Sequence, residues 1–186
     1  MRIKLKPAAN VVPLPVLMIA TYNEDGTCNV MNAAWGTQYS EDVISVYLSK
    51  HKTTENMFRT KAFTVSFATR KTVEESDYFG IVSGHKANKV GKVNFHPIRS
   101  EVVDAPLLEE YPLTLECEID HLDEDGPDAY ILFGKVKGVS VDESVLTDGK
   151  VDIEKLEPIA FCPYDHTYRV VGEVAGKAFN CGLKFR

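Results

Sequence analysis

Strand periodicity dominates the chain. Val16 to Tyr22 is a continuous apolar run, and Asn23-Glu24-Asp25-Gly26-Thr27 follows as a turn whose Asp-Gly pair supplies the positive φ a hairpin needs. Cys28 to Trp35 reads as the returning strand, and Val43 to Leu48, rich in β-branched residues, as a third. Phe63, Val65 and Phe67 alternate with Thr64 and Ser66, the period-2 pattern of a half-buried strand. Leu113, Leu115, Cys117 and Ile119 repeat that pattern, and Tyr130 to Val141 follows a polar loop at Asp123–Asp128. Helices are few and short. Thr53 or Thr54 caps one running to about Thr60, and Thr72 with Glu75 forms a capping box that opens another, ending before Gly84. Many antiparallel strands with two or three small helices predict a mainly β fold, a closed or nearly closed barrel. An open sandwich is the alternative.

No repeat, linker or low-complexity tract divides the 186 residues, so a single domain over 1–186 is expected. The longest apolar stretch, Val11 to Ala20, contains Pro13 and Pro15 and is too short to span a bilayer. No cleavable leader follows the basic start Met1–Lys6, which reads as a cytoplasmic protein without membrane partners. The cysteines at 28, 117, 162 and 181 form no close pair, so neither a metal site nor a redox dithiol is expected. A net charge of −6 argues against nucleic acid. The charge is uneven: residues 50–99 hold ten Lys or Arg against four acids, which makes that segment +6 and the remainder −12. A basic middle in an acidic chain is suited to a small anion.

The candidate chemistry falls in the same middle. In Leu48-Ser49-Lys50-His51-Lys52-Thr53-Thr54 a strand ends, a cationic loop follows and a helix opens at a hydroxyl residue, an arrangement that can gather N–H groups, hydroxyls and cations on a phosphate. Asn32-Ala33-Ala34-Trp35 leaves room for a planar ring beside the backbone. The run from Asp77 through Ser83-Gly84 to Lys89 passes from a helix into a turn and a cationic stretch. Tyr164, His166 and Tyr168 alternate, which on a strand would put them on one face. No Gly-x-Gly-x-x-Gly, Walker loop, Gly-x-Ser-x-Gly or metal-spaced histidine pair is present.

Taken in order, these segments resemble the flavin reductase-like family, and within it the flavoredoxin branch. The resemblance rests on Pro15 to Thr21, Gly26, Asn29, Asn32 to Trp35, Ser49, His51, Thr53, Phe63 to Ala68, Asp77 to Gly80, Ser83-Gly84, Lys89, Leu115 to Cys117, Ile131 to Gly134, Tyr168 and Gly172. It implies a split β-barrel of Greek-key type that binds FMN, as a homodimer with flavin sites between subunits. Ser49, His51 and Thr53, helped by Lys50, would hold the phosphate. Asn32, Ala33, Ala34 and Trp35 would line the ring near the backbone of Phe67 and Ala68, and Ser83, Gly84 and Lys89 would complete the pocket. Relatives often carry Arg near His51 or at His85, and an imidazole is a weaker phosphate partner than guanidinium.

A flavin supplies the difficult chemistry itself, so no catalytic side chain is nominated. The implied activity is NADH- or NADPH-dependent reduction of bound FMN, with electrons passing to a flavin or protein acceptor. An electron-transfer protein reduced by a protein partner is the alternative, as is a barrel that merely binds flavin or another planar ligand such as haem. Because riboflavin cannot use the Ser49–Thr53 phosphate donors, FMN should bind more tightly by fluorescence quenching. Equal affinities would remove the phosphate assignment.

Overall fold

A computed structural model describes all residues 1–186. Fourteen strands occur in chain order: β1 (Leu14–Pro15), β2 (Leu17–Tyr22), β3 (Cys28–Ala33), β4 (Gly36–Gln38), β5 (Val43–Ser49), β6 (Ala62–Phe67), β7 (Pro97–Arg99), β8 (Pro106–Leu108), β9 (Leu113–Glu124), β10 (Ala129–Val141), β11 (Leu146–Thr147), β12 (Lys150–Val151), β13 (Ile159–Cys162) and β14 (Thr167–Val170). Four short helices join them: α1 (Lys52–Thr60), α2 (Val73–Ile81), α3 (Lys89–Val93) and α4 (Ile153–Leu156). No helix is long and apolar enough to cross a membrane.

Seven strands form one antiparallel sheet in the order β3-β2-β6-β9-β10-β5-β4, and it curls into a half-barrel rather than an open sandwich. The non-sequential neighbours β2–β6 and β5–β10 are the long returns expected of a Greek-key path. The β2–β3 hairpin closes where predicted: Gly26 has φ +79°, and the Asp25 carboxylate accepts from the Thr27 N–H at 3.0 Å. Curvature comes from the long β9–β10 pair, whose register shifts at Phe133/Gly134 and at Val136/Gly138. A Cβ on Gly134 would lie 2.4 Å from the Phe63 ring, so the bend depends on a residue without a side chain.

The sheet separates two cores. Inside the curl, Leu17, Ile19, Val46, Phe63, Val65, Cys117 and Leu132 pack with Met57 of α1, which plugs one end. Outside it, Val16, Met18, Ala20 and Val30 pack with Phe79 of α2, Val90 of α3, and Leu108, Tyr111 and Ile159. β2 is therefore buried on both faces, which accounts for its unbroken apolar run.

Local differences from the sequence reading have identifiable causes. β6 is buried on both faces, not one: the Thr64 hydroxyl donates to the Pro106 carbonyl at 2.7 Å, and Ser66 shares a 2.7 Å bond with Thr114. Those polar positions are thus satisfied internally instead of by water. Helix α1 begins two to three residues earlier than expected, with His51 rather than Thr53 or Thr54 as N-cap, because the Thr54 hydroxyl reaches back to accept from the His51 N–H at 2.7 Å. Thr72 does not open a box with Glu75. Its hydroxyl accepts from the Thr69 N–H at 3.0 Å and closes a 3₁₀ turn at Arg70–Thr72 before α2. Tyr164 and His166 lie in a turn, with His166 at φ 53°, so only Tyr168 of the alternating trio stands on a strand.

Gly134→Ala should destabilise the fold by about 1–3 kcal/mol through overpacking against Phe63. Adding Phe63→Leu should recover part of that loss in urea unfolding. Additive losses would mean that the Phe63 ring is not the obstruction.

Candidate functional site

Three elements meet at the free edge of β3, the last strand of the seven-stranded sheet, and enclose a cleft of 250 Å³. β3 supplies Met31 and Asn32, the start of α1 supplies His51, Lys52 and Thr53, and the end of α2 with its following turn supplies Phe79 to Gly84. Lys89, the first residue of α3, closes the fourth side. Asn29, buried on the same strand, ties them together: its Nδ2 donates to Thr53 Oγ1 at 2.8 Å, and its Oδ1 would lie 2.1 Å from any Cβ on Gly84. Gly84 can be nothing larger without displacing Asn29. A Cβ on Gly80 would similarly come within 3.2 Å of the Asn32 side chain, whose Nδ2 donates to the Ser76 carbonyl at 3.0 Å. The wall from Phe79 to Gly84 is therefore largely main chain at close approach.

The cleft is rich in donors. The first intrahelical bond of α1 runs from Glu55 N–H to the His51 carbonyl, so the N–H groups of Lys52, Thr53 and Thr54 precede the ladder; the Thr54 N–H is taken by the His51 side chain in a capping box, which leaves those of Lys52 and Thr53 open. Thr53 is buried and accepts from Asn29, which leaves its own hydroxyl proton to be donated elsewhere. Lys89 is only 4% exposed, yet its ammonium has no carboxylate partner: it donates to the Phe79 carbonyl at 2.8 Å and lies 5.9 Å from the Phe79 ring centre. Burial pushes its pKa down to about 8. Desolvation, then the charges of Lys89 and His85, hold His51 below its ordinary value. His85 itself contacts Glu55 at 3.4 Å. A buried cation with spare protons beside a helix N-terminus is arranged to receive an anion.

Of the residues the sequence nominates, Asn32, His51, Thr53, Ser83, Gly84 and Lys89 line this cleft. The others stand outside it. Lys50 is held away: its Nζ pairs with Asp128 at 2.8 Å and its N–H donates to the Asp128 carbonyl at 3.0 Å, so the β9–β10 turn claims it. Ser49 is exposed, and its carbonyl accepts from the Thr54 hydroxyl at 3.3 Å. Ala33 points into the inner core, as strand alternation from Asn32 requires. Ala34 is half-buried just beyond the strand, and Trp35 is 64% exposed, tilted against Tyr47 at 5.6 Å. The Ala68 backbone is already committed, its N–H to Val16 and its carbonyl to Ile159. Phe67 lines a separate apolar cleft of 510 Å³ at the mouth of the barrel, with Leu17, Ile44, Leu115 and Val136. That larger cleft has no Lys, Arg or His in its lining, whereas the smaller one holds the buried Lys89.

Sequence reasoning included Lys52 among the cations of the Leu48–Thr54 segment without carrying it into the phosphate set, and it missed the close approach at Gly80 and the linking role of Asn29. A signal for helix α3, and hence for the aim of Lys89, was available: Asn88 caps it, its Oδ1 accepting from the Gly91 N–H at 3.1 Å.

A family model described as "Flavin reductase like domain" matches residues 9–163. The chain is similar to the flavoredoxin of Desulfovibrio vulgaris (Miyazaki F), at 34% identity and a TM-score of 0.92 over 98% of this chain and 100% of that one. It is also similar to a flavoredoxin from Methanosarcina acetivorans, at 29% identity and a TM-score of 0.90 over the full length of both chains. An FMN-binding protein from Thermus thermophilus shares the fold at 19% identity, with a TM-score of 0.77 over 95% of this chain and 97% of that one.

The titration of Lys89 has two consequences of opposite sign. The unfolded chain, where lysine keeps its ordinary value of 10.5, binds the extra proton between about pH 8 and 10.5, so the ligand-free fold gains stability as pH rises across that window. Affinity for a phosphate-bearing ligand should instead be flat between about pH 7 and 8, where the phosphate is already the dianion, and fall above pH 8 as the ammonium is lost. The fall should be at most about tenfold per pH unit. Fluorescence titrations with FMN on either side of that value check this, and Lys89→Met should bind weakly without the inflection.

Proposed function

Because the chain belongs to the flavin reductase-like family, we propose that it is an FMN-binding oxidoreductase that takes hydride from NADH or NADPH and passes electrons to a flavin or protein acceptor. The observation that carries this reading is the buried Lys89 ammonium, lacking any anion, facing the free N–H groups at the start of α1. Lys89, Thr53, Lys52 and the helix start would hold the phosphate, with His51 neutral at the rim. Ser83 and the Gly84 backbone would close over it. Lys50 and Ser49 are left out of the phosphate site as we assign it, since the Lys50 ammonium is paired with Asp128 and Ser49 lies outside the cleft.

Bound FMN would supply the hydride-accepting ring, and the chain's task is to hold it and exclude water. Charge-assisted bonds to a phosphate are among the strongest a protein makes, so this site anchors the cofactor while the ring is left for the redox partner. Asn32 is held by its bond to the Ser76 carbonyl and keeps its side-chain oxygen for a ring N–H. A cleft of 250 Å³ falls below the range of about 300–1,000 Å³ for sites that enclose a whole ligand of this class. A second surface would complete the site, and a homodimer with flavin sites at its interface would supply it. Trp35, exposed at the end of β3, is placed to belong to such a covered site. A cytoplasmic setting, where thiols stay reduced, agrees with four free cysteines.

One observation favours a second reading: the two flavoredoxins are similar to this chain along almost its whole length. In that reading the protein is an electron carrier reduced by a protein partner.

Anaerobic mixing of the flavin-loaded protein with NADH or NADPH should bleach the flavin absorbance. His51→Ala should act through FMN affinity, with the rate largely restored at saturating FMN, because hydride passes between apposed rings and needs geometry rather than a proton donor. No bleaching with either nicotinamide would put the electron-carrier reading first.

A further inference from the structure

The chain parts from the body of the fold at Val171, whose N–H donates to the Pro158 carbonyl at 2.8 Å. Beyond it the backbone bonds stay within the segment: Asn180 and Cys181 donate to the Lys177 carbonyl, Leu183 to Asn180, and Arg186 to Leu183. Every residue from 171 to 186 is exposed. This is not a polar tail, however. Phe179 is fully exposed, Phe185 is 84% exposed, Val174 79% and Leu183 47%, and the Lys184 ammonium sits 5.0 Å from the centre of the Phe185 ring. Large apolar side chains gathered on a locally folded arm mark an interaction surface.

The same molecule carries a counterpart. The 510 Å³ cleft is lined by Leu17, Ile44, Phe67, Leu115 and Val136, the apolar side chains of the inner face of the sheet. Glu41 stands at its rim without an ion-pair partner, whereas the neighbouring Asp42 is paired with Lys135.

We propose that residues 172–186 of one copy seat Phe179 and Phe185 in the barrel mouth of a second copy, and reciprocally, so that the chain forms an arm-exchanged dimer. This rests on the homodimer proposed above and names what clasps it. Arm and mouth are complementary surfaces on one chain, and reciprocal exchange closes them under two-fold symmetry. Size is adequate: a buried Phe contributes about 150–250 Å², so the four rings of two arms bring about 600–1,000 Å². With the area they cover on the mouths, the total passes the ~1,200 Å² of a stable interface. Charge agrees as well, since Lys177, Lys184 and Arg186 on the arm meet Glu41 on the rim.

The test is light scattering of the flavin-loaded full chain at micromolar concentration, beside a chain ending at Gly172 and the full-length double variant Phe179→Ser/Phe185→Ser. The variant removes only exposed rings, so it reports even where truncation spoils folding. The full chain should be dimeric, and both altered chains should dissociate at least about tenfold more readily. Cys181 should react with a disulfide reagent more slowly in the full-chain dimer than in the double variant. Glu41→Arg should weaken the dimer too, and an unchanged dimer there would overturn the seat at the mouth. A dimer that stays equally tight in the double variant overturns the arm while leaving the dimer reading intact. A monomeric full chain overturns both, and the flavin spectrum recorded alongside reports separately on the cofactor site.

Discussion

Two strands buried along all but their last residue set the terms for the rest of the molecule. β2 and β6 lie beside each other in the sheet and are buried on both faces, so apolar material must be stacked on each side. The inner side is filled by the sheet's own curl and by Met57, and the outer side requires α2, α3 and the β7–β8 excursion. Covering that outer face brings the end of α2 and the start of α3 against β3, next to where α1 begins. The cleft is thus a by-product of solving the burial problem, and its polar floor is the point where three coverings fail to meet.

Much of this was legible in the chain. The hairpin at Asp25-Gly26 and the strand positions follow from turn chemistry and period, and the cationic helix start follows from composition around Thr53. The two-sided burial of β6 was hidden because Thr64 and Ser66 look solvent-facing in sequence, while the partners that satisfy them, Pro106 and Thr114, lie more than forty residues away. Lys50 and Lys89 were equally cationic on paper. Only the long β9–β10 hairpin, which returns Asp128 to Lys50, and the cap at Asn88, which turns Lys89 inward, separate a surface ion pair from a buried ammonium. Trp35 shows the same limit. Its neighbour Ala33 goes into the core by alternation, but what covers an exposed ring beyond a strand end lies outside any single chain.

The site also divides labour between rigid and titratable parts. Main-chain donors at the start of α1 keep their partial charge at every pH, while Lys89 and His51 do not. In the phosphate reading proposed above, binding would therefore have a constant component and an adjustable one. Burial of Lys89 costs the ligand-free fold, and an anion that offsets this cost is held more firmly than the same groups would hold it at the surface.

The wall from Phe79 to Gly84 has a consequence for how such a chain can change. In the phosphate reading proposed above its recognising groups would be peptide units, which no codon can delete, and its steric demands are the buried Phe79 ring and the two absent methyl groups at positions 80 and 84. Ile81, between them, is 74% exposed and free to vary. Divergence can run through such a segment without registering at the ligand, so a lineage can lose most of its shared letters while keeping one binding shape.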